Sequence, residues 1–193
     1  MTLSVRECLE RGPFTSKEIQ SATGLSQTSV ARRLREMGNS VVQLSEGRSI
    51  RYAAACNAFG GDDKLPLAMV DSNGNTSVIA YIRPLSHGSF FVEPVKDISL
   101  MLLGDNRDGL YDGLPYFLYD LRPQGFLGRH IAHRIASQSE DFPSDSRDWT
   151  NNHIGRYLIA NGEDLPGNLM FGEQSLLRVR RKPFAVSQSD YFE

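Results

Sequence analysis

The side chains best suited to ligand binding fall in a short polar and basic stretch between residues 27 and 33. Amide and hydroxyl groups in the first turn of a helix can read base edges in the DNA major groove, and arginine can bind guanine or hold a phosphate. Two more arginines follow in a predicted hairpin, from which they could reach a phosphate or the minor groove. The predicted DNA-binding residues are Gln27, Thr28, Ser29, Arg32, Arg33, Arg48 and Arg51.

Two other pairs of residues have types found in active sites. His130 and His133 are three apart on a predicted helix, a spacing compatible with metal ligation in a nuclease or another metal enzyme, but no acidic or cysteine ligand stands in a convincing position beside them. Ser86 and His87 could suggest nucleophilic chemistry, but adjacent side chains on a strand point to opposite faces. The sequence therefore predicts no catalytic residue, no metal site and no cofactor.

The segment from Thr15 to Gly38 must position the five candidates between residues 27 and 33, and its spacing predicts a helix-turn-helix. Thr15 can cap a first helix, with Glu18 as its capping-box partner. Gly24 can end that helix in a left-handed conformation. Ser26 can cap a second helix, in which apolar residues recur at i, i+4 and i+7 on one face. The opposite face of this second helix is polar and basic, as a recognition helix requires.

A predicted helix before this segment and a predicted hairpin after it extend the pattern. Residues 3–12 can form a first helix, and residues 40–44 and 50–53 are strand-like runs around a polar turn that contains glycine. Three helices followed by a hairpin make a winged helix-turn-helix. Two alternatives stay open, because the arginines could simply form a solvated helix face and because some winged helices bind protein.

The charge of the chain changes at the end of this pattern. Residues 1–55 hold 8 Lys+Arg against 5 Asp+Glu, a net charge of +3, whereas the remaining residues hold 13 against 18, a net charge of −5. A basic module joined to an acidic one favours DNA binding by the basic module. We predict a DNA-binding domain at residues 1–56, a linker with two glycines and two aspartates at residues 57–64, and a second domain at residues 65–193.

The second predicted domain begins with strands. An Asn-Gly pair at residues 73–74 separates two apolar runs, which is a strong hairpin signal. Further strands are expected at residues 88–95, 98–103, 168–172 and 175–180, and helices at residues 114–121, 126–136 and 148–160. The predicted fold class is therefore α+β, with an N-terminal winged helix-turn-helix followed by a small domain of antiparallel sheet and helices.

Composition sets further limits on the function. The hydrophobic content of 40% and charged content of 23% are typical of a soluble globular protein. No run of 18 apolar residues predicts a membrane span, and the N-terminus lacks the apolar core and cleavage site of a signal peptide. The only cysteines, Cys8 and Cys56, favour a reducing compartment. We expect a cytoplasmic, nucleoid-associated protein with no membrane partner.

Two motifs in the second domain resemble a known family. The run YDGLPYFLYDLRPQGFLGR at residues 111–129 is followed at a distance by NGEDLPGNLMFGE at residues 161–173. Both resemble the N-terminal subdomain of HipA-family toxin kinases, and a winged helix before this subdomain is similar to the YjjJ (HipH) type. The resemblance implies a region that packs on the N-lobe of a serine/threonine kinase or that, as a free-standing homologue, acts as an antitoxin.

The sequence departs from this family in its kinase motifs, which are absent because the chain stops where the kinase would begin. Gly60 and Gly61 lie in the predicted linker and not in a phosphate-binding loop. Asp145, Asp148 and Asn152 have the residue types of a kinase active site, but they surround a predicted helix start, where capping explains them. We therefore expect that this chain is not an enzyme.

The motifs together predict a DNA-binding regulatory or antitoxin-like component of a HipA-type toxin-antitoxin system. Its expected partners are double-stranded DNA, a HipA-like kinase domain on a separate chain or in a missing C-terminal part, and a second copy of the chain if the operator is palindromic. The alternative is the N-terminal regulatory fragment of a longer HipA-family kinase toxin, either a truncated piece or the product of an interrupted gene.

Overall fold

The computed structural model describes residues 3–46, 49–95, 103–162, 165 and 167–181. These residues form two antiparallel sheets and several helices, which confirms the predicted α+β fold class. In the part of the chain that is described, no helix is both long enough and apolar enough to cross a membrane.

Three helices and a three-stranded antiparallel sheet form the N-terminal part. In chain order the elements are α1 (Val5–Glu10), β1 (Phe14–Thr15), α2 (Ser16–Thr23), α3 (Gln27–Met37), a 3-10 turn (Gly38–Ser40), β2 (Val41–Glu46) and β3 (Ser49–Ala54). The strand order is β1-β3-β2. Because side chains alternate along a strand, the sheet has two apolar faces: Val41 and Ala54 pack toward the helices, while the adjacent pair Val42 and Ala53 packs on the opposite side.

A five-stranded antiparallel sheet with helices packed on it follows. Its elements are β4 (Leu65–Val70), β5 (Thr76–Pro84), β6 (Phe90–Pro94), β7 (Leu110–Tyr111), α4 (Tyr116–Tyr119), α5 (Gly125–Gln138), α6 (Asn151–Ala160), β8 (Leu169–Phe171) and α7 (Glu173–Arg181). The strand order is β7-β6-β5-β4-β8. The β4–β5 hairpin turns at the predicted Asn-Gly pair, where Gly74 has a φ of 80° that suits glycine.

One predicted strand is a helix. Residues 175–180 lie within α7, and Leu176 and Val179, three residues apart, pack against Ala68 and Met170 on one face of the five-stranded sheet. A spacing of three suits one face of a helix, so the prediction of a strand was wrong because the apolar period was misjudged. The strand predicted at residues 98–103 lies outside the described residues, except for Leu103.

The two sheets are in direct contact. The Cys56 N–H donates to the Pro84 carbonyl at 3.0 Å, and the Ser86 N–H donates to the Ala54 carbonyl at 2.9 Å, so the main chain bridges them. An apolar cluster fills the space between the sheets and contains Val42, Leu44, Ala53, Leu85 and Phe91. The N-terminal sheet therefore has helices on one side and the second sheet on the other.

Residues of the predicted linker also pack into this arrangement. Phe59 is buried in the core of the second sheet and stacks on Phe90, with ring centroids 5.6 Å apart. Asp63 accepts hydrogen bonds from Arg83 through both its carbonyl and its carboxylate. The boundaries proposed at residues 56 and 64 stay a prediction.

Candidate nucleic-acid interface

Local hydrogen bonds hold the turn between α2 and α3. Thr15 and Glu18 close a capping box, in which the Thr15 N–H donates to the Glu18 carboxylate at 2.7 Å. The hydrogen bonds from Thr15 lower the pKa of Glu18, and the positive charge of Arg51 lowers it further. At its other end α2 stops at Gly24, which has a φ of 69° and donates to the Gln20 carbonyl at 2.8 Å.

Helix α3 has a polar outer face because its apolar side chains turn inward. Val30 is fully buried, and Leu34 and Met37 pack around the same core. Thr28 and Arg32 lie on the opposite face and are exposed. The helix can therefore approach a ligand without uncovering its core.

The hydroxyl groups in the first turn of α3 contact one another. The Ser26 Oγ lies 3.1 Å from the Thr28 Oγ1 and 3.0 Å from the Ser29 Oγ, and it also accepts from the Ser29 N–H at 3.3 Å. Gln27 and Thr28 are exposed, while Ser29 is half-buried. A base edge or phosphate approaching this turn would replace one of these hydroxyl contacts with a contact of its own.

A groove of about 480 Å³ lies between α3 and the N-terminal sheet. Gln27 and Arg35 line it from the helix, and Gln43 and Tyr52, which are register partners in β2 and β3, line it from the sheet. The Arg35 side chain is exposed, and its Nε donates to the Ala31 carbonyl at 3.3 Å. This places on one side of α3 a set of polar side chains that can hydrogen-bond to a ligand.

Arg35, Gln43 and Tyr52 were not among the predicted binding residues. The spacing of Gln27, Ala31 and Arg35 at i, i+4 and i+8 could have placed Arg35 on the same side of α3 as Gln27. Nothing in the local sequence pairs Gln43 with Tyr52, because their register depends on how the hairpin closes.

Arg32 and Arg33 lie on α3 beyond its first turn and share a carboxylate. The Nε of Arg32 is 3.8 Å and the Nη1 of Arg33 is 3.7 Å from the carboxylate of Glu36. Arg33 lines a second groove, of about 440 Å³, on the α1 side of the helix, where Arg6 also lies. Arg33 and Arg35 therefore flank α3 on two different sides.

The two arginines predicted near the hairpin are placed differently. Arg51 lies within β3 opposite Leu44, which belongs to the apolar cluster between the sheets. Its side chain is 27% exposed, and its Nη2 is 3.9 Å from the carboxylate of Asp108 in the second sheet region. Arg51 thus faces the second sheet and not the groove beside α3. Arg48 lies outside the described residues.

The structure does not assemble an active site from the residues considered for catalysis. The His130 ring packs edge-on against Phe126, with centroids 4.7 Å apart. Burial lowers the pKa of His87, and the charge of Asp112 opposes this shift. Asp145 caps a short turn by accepting from the Arg147 N–H at 2.9 Å. Among the described residues no group of three or more potential metal ligands lies together.

Comparison with known proteins gives two matches. A family model described as "YjjJ-like toxin, middle domain" matches residues 61–180. The chain is 29% identical over 173 residues to Toxin YjjJ of Escherichia coli (strain K12), and this alignment covers 89% of the chain and 36% of that toxin. The chain thus spans about a third of the length of this curated relative. No solved structure matches.

These matches correct one prediction, that the chain is not an enzyme. Its similarity to a toxin, and to a family model of such toxins, contradicts that prediction. That prediction was based on the absence of kinase motifs. This absence carries little weight, because the chain spans only about a third of the relative's length.

Proposed function

The chain belongs to the YjjJ-like toxin family, and we propose that the N-terminal part of this toxin-related protein binds double-stranded DNA as a winged helix-turn-helix. The observation that supports the proposal best is the outer face of α3, which is polar and basic, exposed, and set beyond a capped glycine turn. A helix of this kind can enter the major groove with its first turn toward the base edges. The net charge of +3 on residues 1–55 favours the approach to phosphate.

Each side chain has a role in the proposed complex. Gln27, Thr28 and Ser29 contact base edges from the first turn of α3, and Arg32 binds guanine or a phosphate. Arg35 binds a phosphate from the groove beside α3, where Gln43 and Tyr52 add hydrogen-bonding groups. Arg33 lies on the far flank of the helix, and Arg51 is paired with Asp108, so we assign both a smaller contribution.

The arginines on the two flanks of α3 provide a matched test of this orientation. We expect Arg35→Ala and Arg32→Ala to weaken DNA binding by roughly tenfold or more each, because a lost phosphate or base contact costs about 1–3 kcal/mol. Arg33→Ala removes the same charge from the same helix and is expected to weaken binding by less than threefold. Gel shifts with DNA from upstream of the gene would measure the three affinities, and equal losses from Arg33→Ala and Arg35→Ala would refute the orientation.

We also propose that the second sheet and its helices contact a HipA-like kinase domain. The resemblance of residues 111–129 and 161–173 to the subdomain that packs on the kinase N-lobe supports this partner. So does the coverage of only 36% of the curated relative, which leaves room for a kinase in the rest of a longer toxin. The kinase could equally lie on a separate chain that this protein restrains as an antitoxin would.

The exposed aromatic side chains of α4 are the candidates for this contact. Phe117 is buried, whereas Tyr116 is 43% and Tyr119 is 36% exposed beside it. We expect Tyr116→Ala with Tyr119→Ala to reduce capture of the kinase domain in a pull-down, while Arg35→Ala leaves capture unchanged. Undiminished capture by the double tyrosine variant would remove α4 from the interface. The reading frame downstream of Glu193 distinguishes a continuous toxin from a two-chain system.

A further inference from the structure

Helix α5 differs in charge from the acidic part of the chain that surrounds it. Residues 56–193 carry a net charge of −5, yet residues 121–139 contain three arginines, two histidines and no aspartate or glutamate. With 14 residues at 1.5 Å each, α5 is about 21 Å long. Helix α5 is therefore a basic element within an acidic part of the chain.

The basic and aromatic residues share one exposed face of α5. Gly128 and Ala132 are buried, so positions on the opposite side of the helix point to solvent. Phe126, His130 and His133 follow one another at i, i+4 and i+7 along that solvent side. Phe126 is 67% exposed and the adjacent Leu127 is 73% exposed. Arg129 and Arg134 flank the row, and Arg122 precedes it.

Arg129 and Arg134 are exposed, whereas Arg122 is half-buried and its Nη1 donates to the Tyr119 carbonyl at 3.1 Å. Among the described residues, none of them forms an ion pair. Arg122 lies 4.1 Å from the centre of the Tyr119 ring, and Arg129 lies 5.9 Å from the centre of the Phe126 ring. Such contacts hold a guanidinium in place without neutralising its charge.

Two carboxylates that follow α5 in the chain have cationic partners of their own. Asp145 binds Arg147 at 2.6 Å, and these hydrogen bonds hold the pKa of Asp145 at about 2, with a smaller effect from Arg129. Asp141 pairs with Arg156 at 3.6 Å. Arg129 and Arg134 are exposed and are not paired with either of these carboxylates.

We propose that the exposed face of α5, defined by Phe126, Arg129, His130, His133 and Arg134, is a second nucleic-acid contact that binds the phosphate backbone, with Arg122 beside it before the helix begins. The charge of the face complements phosphate, and its length lets it follow several successive phosphates of one strand. The exposed Phe126 ring offers a surface on which an unpaired base can stack. The contact does not depend on the sequence of the nucleic acid, and it is separate from α3.

The test uses the full chain and two probes of arbitrary sequence, a duplex and a single strand of DNA, in fluorescence anisotropy at several salt concentrations. Arg129→Gln with Arg134→Gln is expected to weaken binding of both probes at least tenfold. It should also reduce the slope of log affinity against log salt by about 2 for the duplex, because each lost phosphate contact removes about 0.9. Phe126→Ala should weaken binding of the single strand more than binding of the duplex.

A control with the same loss of charge separates a local contact from a general effect of net charge. Lys64→Gln with Arg107→Gln removes two positive charges elsewhere in the same part of the chain and is expected to leave the salt slope unchanged. An equal reduction of the slope by this control would overturn the proposal. So would unchanged nucleic-acid binding in the α5 variants accompanied by reduced capture of the kinase domain, since the face would then dock protein.

The proposal that α3 is a recognition helix is tested independently of the α5 contact. Arg35→Ala is expected to reduce binding of operator DNA without changing the salt slope for the single strand. If Arg35→Ala has no effect on operator DNA but the α5 variants lose binding of the arbitrary probes, the proposed role of α3 is wrong and the α5 contact is supported.

Discussion

Replacing Arg83 with alanine is expected to lower the free energy of unfolding by about 1.5–3 kcal/mol, because it removes a buried guanidinium that donates hydrogen bonds to charged groups. Arg83 is 8% exposed and lies in β5. Its guanidinium donates to the Asp63 carbonyl at 2.8 Å, to the Asn39 carbonyl at 3.1 Å, and to the carboxylates of Asp63 and Glu93 at 3.1 and 3.2 Å. The variant removes all four hydrogen bonds; the Asp63 carboxylate is left 33% exposed, and Glu93 keeps its contact with Lys64.

The consequence reaches beyond stability, because Arg83 connects three parts of the chain. Asn39 belongs to the turn after α3, Asp63 to the predicted linker, and Glu93 to β6. Loss of the guanidinium is therefore expected to loosen the N-terminal part from the second sheet as well as to lower the melting temperature. Chemical denaturation followed by circular dichroism would measure the loss of stability. Proteolysis near residue 63 would detect the loosening of the N-terminal part.

Lys64 provides a matched control because it pairs with the same carboxylate. Its Nζ lies 3.2 Å from Glu93, but its side chain is 41% exposed. Lys64→Ala is expected to cost less than about 1 kcal/mol, as exposed ion pairs usually do. A loss of similar size for Lys64→Ala and Arg83→Ala would show that burial of the Arg83 network does not matter for stability.

Replacing Gly155 with alanine is expected to destabilise the protein by about 1–3 kcal/mol or more, although alanine is the better helix former. Gly155 lies within α6, and a Cβ added there would overlap the ring of Phe59. The ring cannot easily move aside, because it is buried and stacks on Phe90. Phe59 has a positive φ of 60°, which is strained for a residue with a side chain and so depends on this packing.

A double substitution checks that the overlap is the cause. Phe59→Ala alone should cost about 3–5 kcal/mol through the cavity that it leaves. In the Phe59→Ala background the added methyl of Gly155→Ala should be neutral or stabilising, because the overlap is gone and alanine favours the helix. Additive losses in the double variant would show that Gly155 is required for another reason.

Both predictions concern the segment that the sequence presented as a linker. Its two glycines and two aspartates are typical of a turn, and they say nothing about partners distant in the chain. Phe59 packs between α6 and β6, and Asp63 accepts a hydrogen bond from Arg83, 20 residues later in the chain. Pairings of this kind depend on how the sheet and helices pack, so residue spacing could not predict them.

Local structure was predicted best where one short segment contains the whole cause. The Thr15–Glu18 capping box, the left-handed Gly24 and the Asn-Gly hairpin all form as the sequence predicted, because their partners lie within a few residues of one another. The helix at residues 173–181 was missed because its apolar period was misjudged; its apolar residues pack on a strand more than a hundred residues earlier in the chain.

For the candidate DNA-binding site, too, some features were predictable from the sequence and others required the tertiary structure. The sequence by itself determined that α3 has one apolar and one polar, basic face, since that depends only on the helical period. Only the tertiary structure decided which basic residues share a surface. Arg35 meets Gln43 and Tyr52 across a groove, Arg33 lies on the other flank, and Arg51 faces Asp108. The helical period fixes the direction in which each side chain of α3 points. The register of the sheet and the contact between the two sheets determine which residues lie in that direction.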